Sequence, residues 1–274
     1  MPRRALIVAA GAAAAVVAAR ALWWEPRRVR LTCHEIALSD WPTALDGMRV
    51  ALIADLHAGA PHVDPHTVER VVARVNRAGP DLVVLLGDYA DRKVTLATPV
   101  APEAIAQRLA QLRPPAVAVL GNHDWVQWGP RMRDALRGAG LTVLENDAVP
   151  LRLRGSRLWV LGVADLTTRT PSLQPIAVLP AGEPVLVLSH HPDVFPAVPA
   201  RVALTLAGHM HGGQVNLPLL RARATPSRYG ARYRAGHVEE DGRHLFVSRG
   251  IGTSRLPVRL FAAPEVALLR LVAA

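Results

Sequence analysis

Short apolar runs recur along the chain, and each of the clearest ones stops on a glycine or a polar residue. Run 50–54 leads into Asp55-Leu56-His57, run 82–86 into Gly87-Asp88, and run 116–120 into Gly121-Asn122-His123-Asp124. Further on, run 185–188 leads into Ser189-His190, and run 202–206 precedes Gly208-His209-Met210-His211-Gly212-Gly213-Gln214. Runs this short and rich in β-branched residues predict strands covered on both faces. The polar islands then fall at the carboxyl ends of neighbouring strands, the edge where open α/β sheets place their sites.

Between these strands the period changes. Asp64-Pro65 opens a predicted helix in which Asp64 caps, Val68, Val71, Val72 and Val75 form one stripe, and Gly79 stops the chain. Residues 102–112 and 130–138 are further helix candidates. After Leu141 the pattern turns to paired short strands, 149–153 and 158–163 with Gly155-Ser156 between them, and a second hairpin is expected from 229–238 and 244–247. The body is therefore mixed α/β, with no internal repeat.

The N-terminus differs in kind. Residues 5–19 carry no charge, and Arg20 is followed by Ala21-Leu22-Trp23-Trp24. A helix needs about 20 residues to cross the hydrocarbon, Arg20 can extend its charge outward, and paired tryptophans suit the interface. This predicts a membrane anchor over 1–24, with a cleaved signal peptide ending near Val17-Ala18-Ala19 as the competing reading. Residues 25–48 read as a linker and an edge strand, and 49–274 as the catalytic domain. The arginines after the apolar stretch favour a cytoplasmic body, whereas Arg3-Arg4-Ala5-Leu6-Ile7 resembles a twin-arginine export signal. The side of the membrane stays open.

Composition narrows the chemistry. The 274 residues are 50% hydrophobic with a formal net charge of +10, carried by arginine because Lys93 is the only lysine. That charge suits anionic partners, yet no basic run is interleaved with aromatics as in a nucleic-acid groove, so no nucleic-acid partner is expected. Cys33 is the only cysteine, which excludes an internal disulfide and a cysteine-based zinc site. What remains is a set of carboxylate, carboxamide and imidazole groups, ligands suited to a pair of divalent metals.

The ordered set D-L-H, G-D, G-N-H-D, S-H and G-H-M-H resembles the calcineurin-like metallophosphoesterase superfamily over about residues 49–214. The extended G-H-M-H-G-G-Q, the late V-S-R-G-I-G-T-S-R-L-P-V-R and the N-terminal span are similar to bacterial membrane-associated phosphohydrolases. That branch includes transmembrane metallophosphoesterase-domain proteins and enzymes cleaving UDP-2,3-diacylglucosamine. The resemblance implies a four-layer α/β/β/α sandwich carrying an N-terminal transmembrane or signal-anchor helix. It implies that Asp55, His57 and His211 bind one metal, that Asn122, His190 and His209 bind the other, and that Asp88 bridges them. A water shared by the metals then attacks phosphorus. His123 would protonate the leaving oxygen or stabilise the developing charge, with Asp124 orienting its ring. Two carboxylates among neutral imidazoles fit Mn, Fe or Zn better than Mg or Ca.

Several neighbours take plainer roles. His191 lies next to His190 on the opposite strand face and is expected to hydrogen-bond, as the alternative ligand. His62 and His66 sit at a helix start, and Asp91 is expected to support the site or cap a helix. Gln214, Arg249, Arg255 and Arg259 could meet substrate phosphate or remain surface groups. Trp125 and Trp128 could border the cleft or pack in the core. The leading expectation is a membrane-associated, dinuclear phosphoesterase acting on a phosphodiester or pyrophosphate with a lipid or nucleotide portion. An exported phosphatase or nuclease acting on soluble substrates is the alternative, and a non-catalytic membrane scaffold the third. Oligomeric state is not legible.

Overall fold

The computed structural model describes residues 2–216 and 225–274. The helices are α1 (Pro2–Ala19), α2 (Pro65–Ala78), α3 (Pro102–Leu109), α4 (Asn122–Gln127) and α5 (Pro130–Gly138). The strands are β1 (Arg30–Leu38), β2 (Met48–Ile53), β3 (Leu82–Leu85), β4 (Ala116–Ala118), β5 (Thr142–Val143) and β6 (Asp147–Leu153), then β7 (Ser156–Gly162), β8 (Val185–Ser189), β9 (Leu204–Ala207), β10 (Gly236–Glu240), β11 (Arg243–Val247) and β12 (Glu265–Ala273). They form two six-stranded sheets, ordered β1-β12-β2-β3-β4-β5 and β10-β11-β9-β8-β7-β6.

Strand alternation explains the layering. Val50, Leu52, Leu82 and Val84 point into a core shared with Leu186, Leu188, Leu204 and Leu206 of the second sheet. Their neighbours Ala51, Ile53, Val83 and Leu85 point outward and pack against α2, α3 and α5. A residue period of two thus supplies both faces of one buried strand. On the second sheet, Val185 and Val187 face outward instead, under Ile176 and Val198.

Helix α2 follows its sequence signals closely. The Asp64 side chain accepts from the Thr67 amide at 2.7 Å, Pro65 occupies the first turn, and Gly79 closes the helix in the left-handed region at φ 59°. Its four stripe valines are buried, each contributing about 1.5–3 kcal/mol.

The layers follow the expected α/β/β/α order, with the fourth thinned. Over the outer face of the second sheet, among the described residues, lie 3-10 turns at Gln174–Val178 and Pro192–Ala197. Prolines 171, 175, 180, 184, 192, 196 and 199 crowd this stretch, and proline removes the donors an α-helix needs. Residues 229–235 are turns rather than strand. Asp193 draws them in by accepting from Ser227 Oγ at 2.6 Å and the Arg228 amide at 2.9 Å, while Tyr233 packs on Phe195. The first hairpin turns at Arg154 and Gly155, at φ 49° and 80°, one residue earlier than expected. Strand β12, not anticipated, lies between β1 and β2, parallel to the first and antiparallel to the second.

Helix α1 runs on through a π-helical turn at Arg20–Trp24. The span Arg4–Trp24, 21 residues, is apolar enough to cross a membrane, and none of its most apolar window is buried. At about 1.5 Å per residue its length matches a hydrocarbon core about 30 Å thick.

Candidate metal centre

The loops after β2, β3 and β4 of the first sheet meet those after β8 and β9 of the second. They bring Asp55, His57, Asp88, Asn122, His123, His190, His209 and His211 together. His57 Nε2 lies 3.1 Å from His211 Nε2, and His211 Nε2 lies 3.8 Å from Asp55 Oδ1. On the other side His190 Nε2 lies 3.0 Å from His209 Nδ1 and 3.1 Å from Asn122 Oδ1. Asp88 Oδ2 stands between the two groups, 3.5 Å from His57 Nε2 and 3.3 Å from His190 Nε2.

The backbone is contorted to achieve this. Asp55 (φ 50°), His57 (φ 44°), Asp88 (φ 55°), His209 (φ 69°) and His211 (φ 50°) all adopt the left-handed region. Each such residue with a Cβ costs roughly 1–2 kcal/mol, and strain of this kind persists where the surroundings over-determine it. Gly87 shows how tight the loops are: at φ 88°, an added Cβ would sit 2.8 Å from the Gly121 Cα. Gly250, at φ 65°, lets the late glycine-rich segment lie against Asp55, where a Cβ would come within 2.6 Å of the Asp55 Cβ.

Hydrogen bonds on the far side of each ring set which nitrogen faces inward. His57 Nδ1 lies 2.9 Å from Asp91 Oδ2, and His190 Nδ1 lies 2.8 Å from the Leu86 carbonyl. Both partners accept only, so each Nδ1 carries the proton and each Nε2 presents its lone pair to the centre. Lone pairs that face one another at about 3 Å repel unless a positive charge lies between them. Imidazole nitrogens, one amide oxygen and two carboxylates are a donor set for two borderline divalent cations, so the residues present fit the expected metals.

Charge follows the same geometry. Burial raises the Asp55 carboxyl to about 6. Burial opposes charge at Asp88 as well, but His190 and His57 hold it well below the usual carboxylate range. His190 shows the reverse balance: with Asp88 facing it, burial is overridden and its pKa is lifted to about 10, and a cation at Nε2 would displace that proton and leave the ligating lone pair. Burial, reinforced by neighbouring imidazoles, lowers His209 and His211. Those two are held neutral, the ligating form.

The expected contact between Asp124 and the His123 ring is not made. Asp124 Oδ2 accepts from the amides of Asp88 at 2.8 Å and Gly121 at 2.9 Å, and Oδ1 from the amide of Tyr89 at 2.9 Å. As a short carboxylate at the third position of α4, it caps its own helix and clamps the adjacent β3 turn. The ring belongs to Asp91, whose Oδ2 lies 2.8 Å from His123 Nδ1. Asp91 Oδ1 is held in turn by Gln127 Nε2 at 2.9 Å and the Lys93 amide at 2.7 Å. Burial lowers the His123 pKa, but Asp91 and Asp88 outweigh it and raise the group above its ordinary value. The sequence signal for Asp91 was its position three residues after Asp88; nothing marked Gln127.

His191 is buried but turned away, its Nδ1 accepting from the Asp193 amide at 3.1 Å and its Nε2 lying 3.0 Å from the Pro226 carbonyl. His62 Nε2 lies 3.0 Å from the Pro257 carbonyl, and His66 pairs with Glu69 at 3.0 Å. Of the four residues considered for phosphate, Arg249 pairs with Glu265 at 3.0 Å. Arg259 is fully buried and donates to the carbonyls of Gly252, Arg249 and Ala262. Gln214 ties its loop to Ser254 and Leu256. Arg255, exposed and without a carboxylate partner among the described residues, lines a cleft of about 390 Å³ with Asp88, Asn122, His123, His209 and His211. Trp125 and Trp128 are half-buried on the helical side, under Arg169 at 4.6 Å and Arg92 at 5.1 Å.

Residues 48–213 match the calcineurin-like phosphoesterase family. The uncharacterized metallophosphoesterase YkuE of Bacillus subtilis strain 168 is 31% identical over 253 residues, covering 90% of this chain and 87% of its own length. Phosphodiesterase YaeI of Escherichia coli K12 is 31% identical over 228 residues, 82% of each chain. A transmembrane protein with metallophosphoesterase domain from Danio rerio is 27% identical over 85% of this chain and 55% of its own. The chain belongs to the calcineurin-like phosphoesterase family and is a hydrolase of phosphoric esters.

Proposed function

We propose that the chain is a membrane-anchored, dinuclear phosphodiesterase or pyrophosphatase. Asp55, His57 and His211 hold one divalent cation, Asn122, His190 and His209 the other, and Asp88 lies between them. The observation that carries this reading is Asp88 Oδ2, placed 3.5 Å from His57 Nε2 and 3.3 Å from His190 Nε2. Two bound cations would supply an activated water and offset the negative charge of the phosphate. Every other step falls to the protein. His123, oriented by Asp91 and with a pKa that burial lowers but the nearby carboxylates raise above its ordinary value, delivers a proton to the leaving oxygen. Arg255 meets a phosphate oxygen at the cleft mouth. Nitrogen-rich ligation favours Mn, Fe or Zn.

For substrate we infer a diester or pyrophosphate linked to a lipid or nucleotide, with UDP-2,3-diacylglucosamine as one instance of the class. The exposed apolar helix over Arg4–Trp24 supports the lipid side of this reading, and the phosphodiesterase relative supports the bond type. Elemental analysis of the purified protein, with hydrolysis of bis-p-nitrophenyl phosphate before and after chelation and Mn addition, tests the core of it. About two transition metals per chain and metal-restored cleavage are expected. A folded protein without metal and unresponsive to Mn would remove the reading.

A further inference from the structure

The foot of the N-terminal helix is joined to the body at three points. Glu25 Oε1 accepts from the Ala262 amide at 2.7 Å, the Arg259 amide donates to the Ala21 carbonyl at 3.0 Å, and the Arg20 guanidinium lies 4.7 Å from the centre of the Phe261 ring. Beside this joint is a cavity of about 590 Å³. Its lining combines apolar Val16 and Ala19, the aromatic pair Trp23 and Trp24, and the basic Arg28 and Arg30. Arg20 is tied to Glu25 at 3.0 Å, whereas Arg28 and Arg30 pair with no carboxylate among the described residues.

We propose that this cavity binds one anionic phospholipid. Two observations point the same way. The first is depth: if Arg4–Trp24 spans the hydrocarbon, Val16 and Ala19 stand among acyl chains, the tryptophans at the interface, and Arg28 and Arg30 at headgroup level. The second is charge: two guanidinium groups without a carboxylate partner among the described residues, one of them 5.3 Å from the centre of the Trp24 ring, offer fork-shaped donors to a phosphate diester, and basic residues at a membrane surface select anionic lipid. The occupant lies with its phosphate on Arg28 and Arg30 and an acyl chain along Val16 and Ala19. Because segment 254–263 forms part of both this joint and the metal cleft, a lipid bound here steadies the cleft against the membrane surface.

The inference rests on the helix being retained as an anchor, and the test separates the two. Full-length protein is extracted in detergent micelles containing dioleoyl phosphatidylglycerol or dioleoyl phosphatidylcholine, and its intact mass and bound lipid are read by native mass spectrometry. The full-length mass with phosphatidylglycerol retained roughly 10–30-fold better than phosphatidylcholine is expected, from the contribution of two basic residues at a lipid surface. Arg28→Gln with Arg30→Gln should abolish that preference, and Arg28→Lys with Arg30→Lys should keep most of it. Equal retention of the two lipids, or a preference unchanged in the double glutamine variant, overturns the proposal and leaves the anchor standing. Retention of glycerol 3-phosphate as strongly as the lipid reassigns the site to soluble phosphates. A mass lacking the N-terminal residues overturns the anchor and this site together.

Discussion

The strand ends of the first sheet carry Asp55, His57, Asp88 and Asn122, whereas those of the second carry imidazoles alone, His190, His209 and His211. The first group is held mostly from within. Asp88 accepts the His123 amide at 2.8 Å, and Asp124 fixes the turn beneath it. The second group is held across the sandwich: the Asp55 carboxylate receives the His209 amide at 3.0 Å, and the Leu86 carbonyl takes His190 Nδ1 at 2.8 Å. The acidic half is thus a local construction and the imidazole half depends on closure of the two sheets. A similar contrast separates two carboxylates in the first half. Asp91 bonds the imidazoles of His57 and His123, while Asp124 bonds backbone amides.

The sharpest way to break the first contrast is Asp88→Asn, which keeps the shape and removes the charge shared by both halves. We expect kcat/KM to fall about 1,000-fold, some 4 kcal/mol, with metal content reduced in a protein of unchanged far-UV spectrum. Activity close to wild type would contradict the bridging assignment. Next in size is Asp91→Asn, for which loss of a supporting carboxylate predicts roughly 10–100-fold lower metal affinity or turnover. A metal titration followed by activity, together with a melting curve little changed, would show that Asp91 serves chemistry.

Asp124→Asn should behave in the opposite way. Replacing one of the two oxygens that accept from three buried amides with an amide nitrogen that cannot accept is expected to cost about 1–3 kcal/mol of stability, read as a lower denaturation midpoint, with activity falling chiefly where the protein begins to unfold. If Asp91→Asn lowers stability more than turnover and Asp124→Asn does the reverse, the division between the two carboxylates is wrong. The smallest effect is expected at Arg255, which lies at the cleft mouth and outside the ligand groups. Arg255→Gln should raise KM roughly 10-fold with kcat nearly unchanged, the loss of about one charge-assisted hydrogen bond. A fall in kcat with KM constant would move Arg255 into the reacting centre.

Much of the framework was legible along the chain. The stripe and caps of α2, the five punctuated strands and the two hairpins follow from period and turn chemistry, which act over a few residues. β12 was not, because its apolar residues carry no punctuation and only pairing with β1 and β2 makes them a strand. The turns at 229–235 escaped for a related reason: Asp193, distant in sequence, provides hydrogen bonds that outweigh the β-propensity of the tyrosines.

For the site, the residue types and their order pointed to paired metals before any coordinates, because carboxylate, amide and imidazole at successive strand ends are specific chemistry written locally. The partner of each ring was not written there. Asp91 and Asp124 are equally short and both buried, and Asp124 is the one next to His123 in sequence; tertiary packing alone gave Asp91 to the His123 ring and Asp124 to the backbone. The left-handed turns at Asp55, His57, Asp88, His209 and His211 were equally invisible, since no residue there is glycine. Local sequence determined which groups could ligate, and only the closed sandwich decided how they face one another, because orientation comes from contacts between segments that the chain order keeps far apart.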